Sequence, residues 1–300
     1  MEKRRKNMEK TTCILCNSKN IKHFKRFWLQ LSVTHTPIPQ DVVQCQDCGF
    51  MFVNPLPTED EIARLYADDL FYHNEQEDRV EFDMEPEVRQ WEEPRYMKQL
   101  AKVVRYVSSG KMIDIGCGCG VMLRTAQKLG WNVHGLELSK ACVELCRDKW
   151  HLNVQHGSIL QVKYPEESFE LVVIDNVFEH LISPECVLEK VRMILKPKGI
   201  LLISVPNILG FSFRCWFWYI KARNIPFEPK SYGHLFFYTM PTIISMLEKN
   251  GFIVKEAYID QAPHLGGSKG VERILKKLSI YFGKYIRSLG NQITVYAMKG

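Results

Sequence analysis

Residues 112–120 read MIDIGCGCG. An acidic residue, Asp114, stands in an apolar run of β character, and Gly116, Gly118 and Gly120 follow it at once. Glycines so close together are costly in backbone entropy, so a turn built from them serves something that must come near the main chain. The surrounding pattern narrows the fold. KMIDI, a helix from about Cys119 to Leu129, WNVHGLE and a helix from Ser139 to Trp150 alternate in order. Such alternation forces a parallel sheet with helices on both faces. Further strands are read at NVQHG, FELVVID and GILLISVP, with SPECVLEKVRMIL a helix between the last two, Ser183 its N-cap and Pro184 its first residue. FIVKEAYI and NQITVYAMK alternate as antiparallel strands at or near an edge. The expected fold is α/β: a doubly wound, mainly parallel sheet of seven strands.

In an open sheet of this kind a ligand sits beyond the carboxyl ends of the strands, where a glycine turn and a helix N-terminus can approach it without an intervening side chain. A dinucleotide fingerprint reads GxGxxG, but position 121 is Val and the pattern is D-x-G-x-G-x-G from Asp114 to Gly120. Glu137 ends the second strand 21 residues after Gly116, about the separation at which an acid meets the two hydroxyls of a ribose. A carboxylate accepting both protons disfavours a 2′-phosphorylated ligand.

Four of the ten cysteines form two pairs, Cys13 with Cys16 in CILC and Cys45 with Cys48 in CQDC, the second followed by Gly49. Two CxxC turns place four thiolates around one ion, which closes the coordination of zinc and makes the metal structural. His23 and His35 between the pairs read as surface residues. About 50 residues bury little apolar surface alone, so metal binding supplies much of this region's folding energy.

With 46% hydrophobic residues the chain can build a real core. It has no run of about 18 apolar residues, and MEKRRKNMEK carries charge with no apolar segment behind it, so neither a spanning helix nor a signal peptide is supported. A cytoplasmic location and thiols without disulfides are therefore the expectations, and a nucleic-acid partner is not expected, because the net charge of +6 is mild and part of it sits at each end of the chain. The organisation reads as a zinc-ribbon-like region over 1–54, a linker and lead-in helices over 55–94, with a Thr58/Glu61 capping box, and the main domain over 95–300.

Taken together, DIGCGCG, GLELS, FELVVIDNVFEHL and LKPKGILLISVPN resemble the motifs of the class I S-adenosylmethionine (SAM) dependent methyltransferases over about residues 95–300. The lead-in C..C…C..CGFMFVNPLPTEDEIARLYADD is similar to a bacterial subgroup with a zinc-binding N-terminus, whose relatives modify sugars or other small metabolites. The resemblance implies a Rossmann-like methyltransferase with SAM as cofactor, structural zinc and a small-molecule methyl acceptor. It implies that Gly116, Gly118 and Gly120 line the methionine and ribose portions, that Asp114 orders the turn or reaches the amino-acid end through water, and that Glu137 holds the ribose. Leu138 would cover one adenine face, Ser158 and Ile159 would lie by the adenine amine, and Asn176 and Val177 would close the cofactor side. Ser158 departs from the acid common in the family, leaving one neutral hydrogen bond worth about 0.5–1.5 kcal/mol.

Methyl transfer chiefly needs alignment, with a base only where the acceptor must lose a proton. The candidate general base is His234 in SYGHLFFYT, a histidine that would overhang the cleft after the fifth strand. Glu179 and His180 read as structural. The aromatic insert FSFRCWFWYIKARNIPFEP, with Trp216, Trp218 and Tyr219, reads as a substrate lid or a membrane-touching surface. VERILKKLSIYFGKYIR puts Ile274, Leu275, Leu278, Phe282, Tyr285 and Ile286 on one helical face, for packing on the domain, on a second subunit or on anionic lipid. Behind a small-molecule methyltransferase stand two other classes: an RNA methyltransferase using the ribbon for RNA contact, and a non-catalytic SAM-binding or interaction protein.

Overall fold

The computed structural model of the chain describes residues 12–29, 38–57, 92–211, 214, 230–231, 233–260 and 290–300. The capping box at Thr58, His35, the tryptophans of the aromatic insert and the helix expected over 271–289 lie outside them.

A parallel core arises from β4 (Lys111–Ile115), β5 (Asn132–Glu137), β6 (Val154–His156), β7 (Phe169–Asp175) and β8 (Leu195–Pro206). With β11 (Phe252–Asp260) and β12 (Gln292–Lys299) they form one seven-stranded sheet in the order β11-β12-β8-β7-β4-β5-β6. β12 runs antiparallel to both its neighbours, and every other pairing in this sheet is parallel. The strand order therefore reverses between β4 and β7, the switch point where an open α/β sheet leaves a crevice.

Alternation along each strand explains the two faces. On β7 and β8, Val172, Ile174, Leu201, Ile203 and Val205 pack with α4 (Pro184–Ile194) and α5 (Met240–Lys249) on one side. Leu171, Val173, Ile200 and Leu202 pack with α1 (Glu93–Val103), α2 (Val121–Lys128) and α3 (Lys140–Asp148) on the other. The boundaries follow local chemistry. Pro94 lies in the first turn of α1, Gly120 caps α2 in the left-handed region at φ 77°, and Ser139 caps α3 by accepting from the Cys142 N–H. Ser183 occupies the N-cap position of α4 without a side-chain cap bond. α5, which periodicity did not reveal, starts on a reciprocal Thr239/Thr242 box with Pro241 in its first turn.

The N-terminal region builds a second sheet in the order β10-β3-β2-β1-β9. β1 (Ile21–Leu29), β2 (Ile38–Cys45) and β3 (Met51–Val53) are antiparallel, and they are joined by two short strands from after β8: β9 (Lys230–Ser231) and β10 (Phe236–Phe237). Phe236 pairs with Phe52 and Phe237 with Met51. The two sheets share one core. Cys13, Leu15, Val43, Phe50 and Phe52 belong to the same buried cluster as Ile113, Ile174 and Tyr238. Phe50 stacks on Phe236 at 6.1 Å and Tyr238 stacks on Phe178 at 5.6 Å between ring centroids.

Candidate active site

The carboxyl ends of β4, β5 and β7 bring the sequence-predicted residues to one edge. Gly116, Gly118 and Gly120 all take positive φ, at 75°, 51° and 77°. Two of them are required by packing as well as conformation: a Cβ at Gly116 would lie 2.4 Å from Val177 Cγ2, and one at Gly120 would lie 2.7 Å from Leu152 Cδ1. Val177 thus touches the glycine turn. Glu137 binds that turn directly, since Oε2 accepts from Gly118 N–H at 2.8 Å while Oε1 accepts from the N–H groups of Leu138 and Ser139 at 2.8 and 2.9 Å. The carboxylate of β5 and the glycines after β4 form one construction, although Glu137 is buried and burial pushes its carboxyl up.

Asp114 is buried and its Oδ1 has no hydrogen-bond partner. Burial first, then the fields of Asp175 and Glu137, push its carboxyl well above the usual range. Asp175 behaves differently. Burial acts to raise it, but the Arg95 guanidinium outweighs that and holds it below the ordinary range. Arg95 donates from Nη1 to Oδ1 at 2.9 Å and from Nη2 to Oδ2 at 2.7 Å, and Tyr96 adds its hydroxyl at 3.1 Å. Gln292 joins Arg95 to the Asn176 side chain, which is exposed and left-handed at φ 53°. Arg95 pairs with Asp175, which leaves the buried Asp114 oxygen as an unpartnered acceptor at the switch point. An acceptor there fits a ligand that brings a hydrogen-bond donor, such as the ammonium group of SAM.

The third wall lies after β6. His156 Nε2 bonds the Leu138 carbonyl at 2.9 Å, joining the β6 end to the residue after Glu137. Ser158 is half-buried and its Oγ accepts from Leu160 N–H at 3.4 Å, whereas Ile159 is buried in the main core.

Beyond Val177 lies a group that the sequence did not connect. Phe178–His180 form a single 3₁₀ turn after β7, and His234 lies between β9 and β10. Leu235 N–H donates to the Glu179 carbonyl at 2.8 Å, and its own carbonyl accepts from Val53 N–H at 2.9 Å. His234 is thereby set over Glu179. The two imidazole rings meet edge-on at 4.8 Å, and each Nε2 stands 3.8 Å from Glu179 Oε1. Burial pushes Glu179 up to about 8, and pushes His180 and His234 down to about 3 and about 4, so both imidazoles are neutral near pH 7. Arg95, Tyr96, Gln292 and His156 were not singled out by sequence reasoning; each acts through tertiary contact, which spacing along the chain does not reveal.

The cysteines converge too. Cys13 Sγ lies 3.6 Å from Cys48 Sγ, Cys16 Sγ lies 3.5 Å from Cys45 Sγ, and all four sulfurs are within 4.8 Å of one another. A tetrahedral zinc with bonds of about 2.3 Å separates its sulfurs by roughly 3.8 Å, so the set fits. The two knuckles are built alike, each followed by a left-handed residue, Asn17 at φ 60° and Gly49 at φ 76°.

A family model described as a methyltransferase domain matches residues 89–257, more than half of the chain. The chain belongs to this family, the class I SAM-dependent methyltransferases. An enzyme of Rhodopseudomonas palustris named ubiquinone biosynthesis O-methyltransferase is 29% identical over 123 residues, covering 40% of this chain and 49% of that protein. A protein of Mycolicibacterium smegmatis named as an S-adenosylmethionine-dependent methyltransferase is 26% identical over 146 residues, covering 48% and 52%. The chain thus spans about half the length of these curated relatives. A solved methyltransferase structure from Galdieria sulphuraria matches with a TM-score of 0.51 at 14% identity, over 79% of this chain and 98% of that one, a likeness of fold. The matched residues include β4 to β8, the glycine turn and Glu137, while β12 lies beyond them.

Proposed function

We propose that this chain transfers a methyl group from SAM to a small-molecule acceptor, a sugar or another biosynthetic intermediate. The observation that carries this reading is the glycine turn after β4, held by Glu137 and lying after the buried Asp114, whose Oδ1 has no partner. SAM, when bound, supplies a methyl group on a positively charged sulfur, so the protein's task is to hold, align and exclude water.

Gly116, Gly118 and Gly120 would receive the methionine and ribose portions, and Asp114 would serve the amino-acid end. Glu137 has spent three of its roughly four acceptor directions on backbone and would use its remaining capacity on the ribose. Leu138, Ser158 and Ile159 would border the adenine, while Asn176 and Val177 would close that side. The acceptor then enters from the edge formed by Glu179, His180 and His234, and His234 is the residue we assign to acceptor activation. The relative named as an O-methyltransferase favours an oxygen acceptor. Zinc at Cys13, Cys16, Cys45 and Cys48 would be structural, since four sulfurs leave no open position.

Calorimetry of the zinc-loaded chain with SAM and with S-adenosylhomocysteine tests the cofactor assignment. Binding of both, with NAD and ATP inert, is the expected result. No heat from either, alongside binding of another nucleotide, would overturn it.

A further inference from the structure

Glu179, His180 and His234 each offer a ligand atom within 4.8 Å of the other two. The 3.8 Å separating each imidazole Nε2 from Glu179 Oε1 is too long for a hydrogen bond. It is instead a spacing that donors adopt around a shared ion: ligands about 2.0–2.2 Å from one centre lie roughly 3–4 Å apart. Two further observations point the same way. The Glu179 side chain is 2% exposed and its Oε2 has no hydrogen-bond partner. The Tyr238 hydroxyl, buried close enough to feel the Glu179 charge, has none either. Enclosed in this way, Glu179 carries a negative charge near neutral pH only with a positive ion beside it, and among the described residues the ionisable nitrogens within 4 Å of it are the two neutral imidazoles, which can donate lone pairs to such an ion but not supply its charge.

We propose that Glu179, His180 and His234 bind a first-row divalent cation at the acceptor side of the cleft. This deepens the methyl-transfer reading and rests on its assignment of that edge to the acceptor. Two imidazoles and one carboxylate suit zinc, manganese, iron or cobalt better than magnesium or calcium, which prefer oxygen donors throughout. Three protein ligands leave coordination positions open, unlike the closed four-sulfur site at the N-terminus. An acceptor hydroxyl reaching an open position loses its proton to solvent more readily, because the cation stabilises the oxygen anion left behind, and that anion is the stronger nucleophile. The proposal also explains why the three side chains come from two distant segments: the 3₁₀ turn after β7 supplies two ligands, and His234, just before β10, supplies the third.

The test uses the full chain, loaded with zinc at the cysteines, freed of loosely held metal and titrated with Co²⁺. Bound metals are counted by mass spectrometry after gel filtration, and the visible spectrum is recorded. One zinc and one cobalt per chain are expected, with the weak d–d absorption of nitrogen and oxygen ligation. Glu179→Gln and His234→Ala should each weaken cobalt binding at least tenfold while still binding S-adenosylhomocysteine. A count that stays at zinc alone overturns the proposal, as does cobalt binding retained in both variants. Should the variants fail to fold, the wild-type spectrum decides: thiolate-to-cobalt charge transfer would place the ion at the cysteines and overturn the site. A wild-type chain that takes up cobalt but ignores S-adenosylhomocysteine would keep this site and sink the function proposed above.

Discussion

Glu137 carries two duties with one carboxylate, tying the glycine turn through Gly118 and the start of α3 through Leu138 and Ser139. A hydrogen bond to a charged group contributes about 1.5–3 kcal/mol, so Glu137→Gln, which keeps the shape but loses the charge, should weaken S-adenosylhomocysteine binding by roughly 10- to 100-fold in calorimetry. An unchanged dissociation constant would detach Glu137 from the cofactor. Asp175 gives a pH prediction. Its folded-state carboxyl is depressed by Arg95, so the pair stabilises the fold above the unfolded value of about 3.9 and that contribution is lost as pH falls through the folded value. Wild type should therefore lose more stability than Asp175→Asn between about pH 5 and pH 2 in urea titrations, while at pH 7 the variant, which leaves Arg95 buried and unpaired, is less stable by about 3–5 kcal/mol. Equal acid sensitivity of the two proteins would contradict the pairing.

Among the elements, the seven strands of the main sheet were legible in the sequence, because buried parallel strands appear as short apolar runs and β11 and β12 alternate. The glycine turn and Glu137 were legible for a similar reason: their spacing is local. What escaped was nonlocal or too short to have a period. β9 and β10 are two residues each, α5 announces itself by a threonine pair rather than by an acidic capping box, and Glu179 meets His234 through the pairing of β10 with β3. The CxxC spacing is local too and the four sulfurs form one cluster, while the turn at Asn17 is hidden from the sequence because asparagine does in the first knuckle what Gly49 does in the second. Structural zinc supplies of order 10 kcal/mol to small metal-bound folds. If the cysteines hold zinc as proposed, a strong chelator, or Cys13→Ser, should therefore melt the N-terminal sheet, seen as a large drop in the thermal midpoint. A midpoint unmoved by chelation would leave the cluster without a metal role.

At the scale of the whole molecule, the N-terminal sheet and the seven-stranded sheet share one buried cluster, with Phe50 at 0% exposure lying against Phe236 and Tyr238. One core predicts one transition. Phe50→Ala should cost about 3–5 kcal/mol and leave unfolding cooperative, by fluorescence and circular dichroism alike. Two separated transitions in the wild type would show that the sheets fold independently. Among the described residues no helix is long and apolar enough to cross a membrane. The backbone of Leu235 is bonded on one side to Val53 and on the other to Glu179, so under the acceptor placement proposed above the N-terminal sheet forms part of the wall against which the acceptor is read. A chimaera that exchanged this sheet for that of a sibling enzyme would accordingly inherit the sibling's choice of substrate, while its grip on the methyl donor stayed the same.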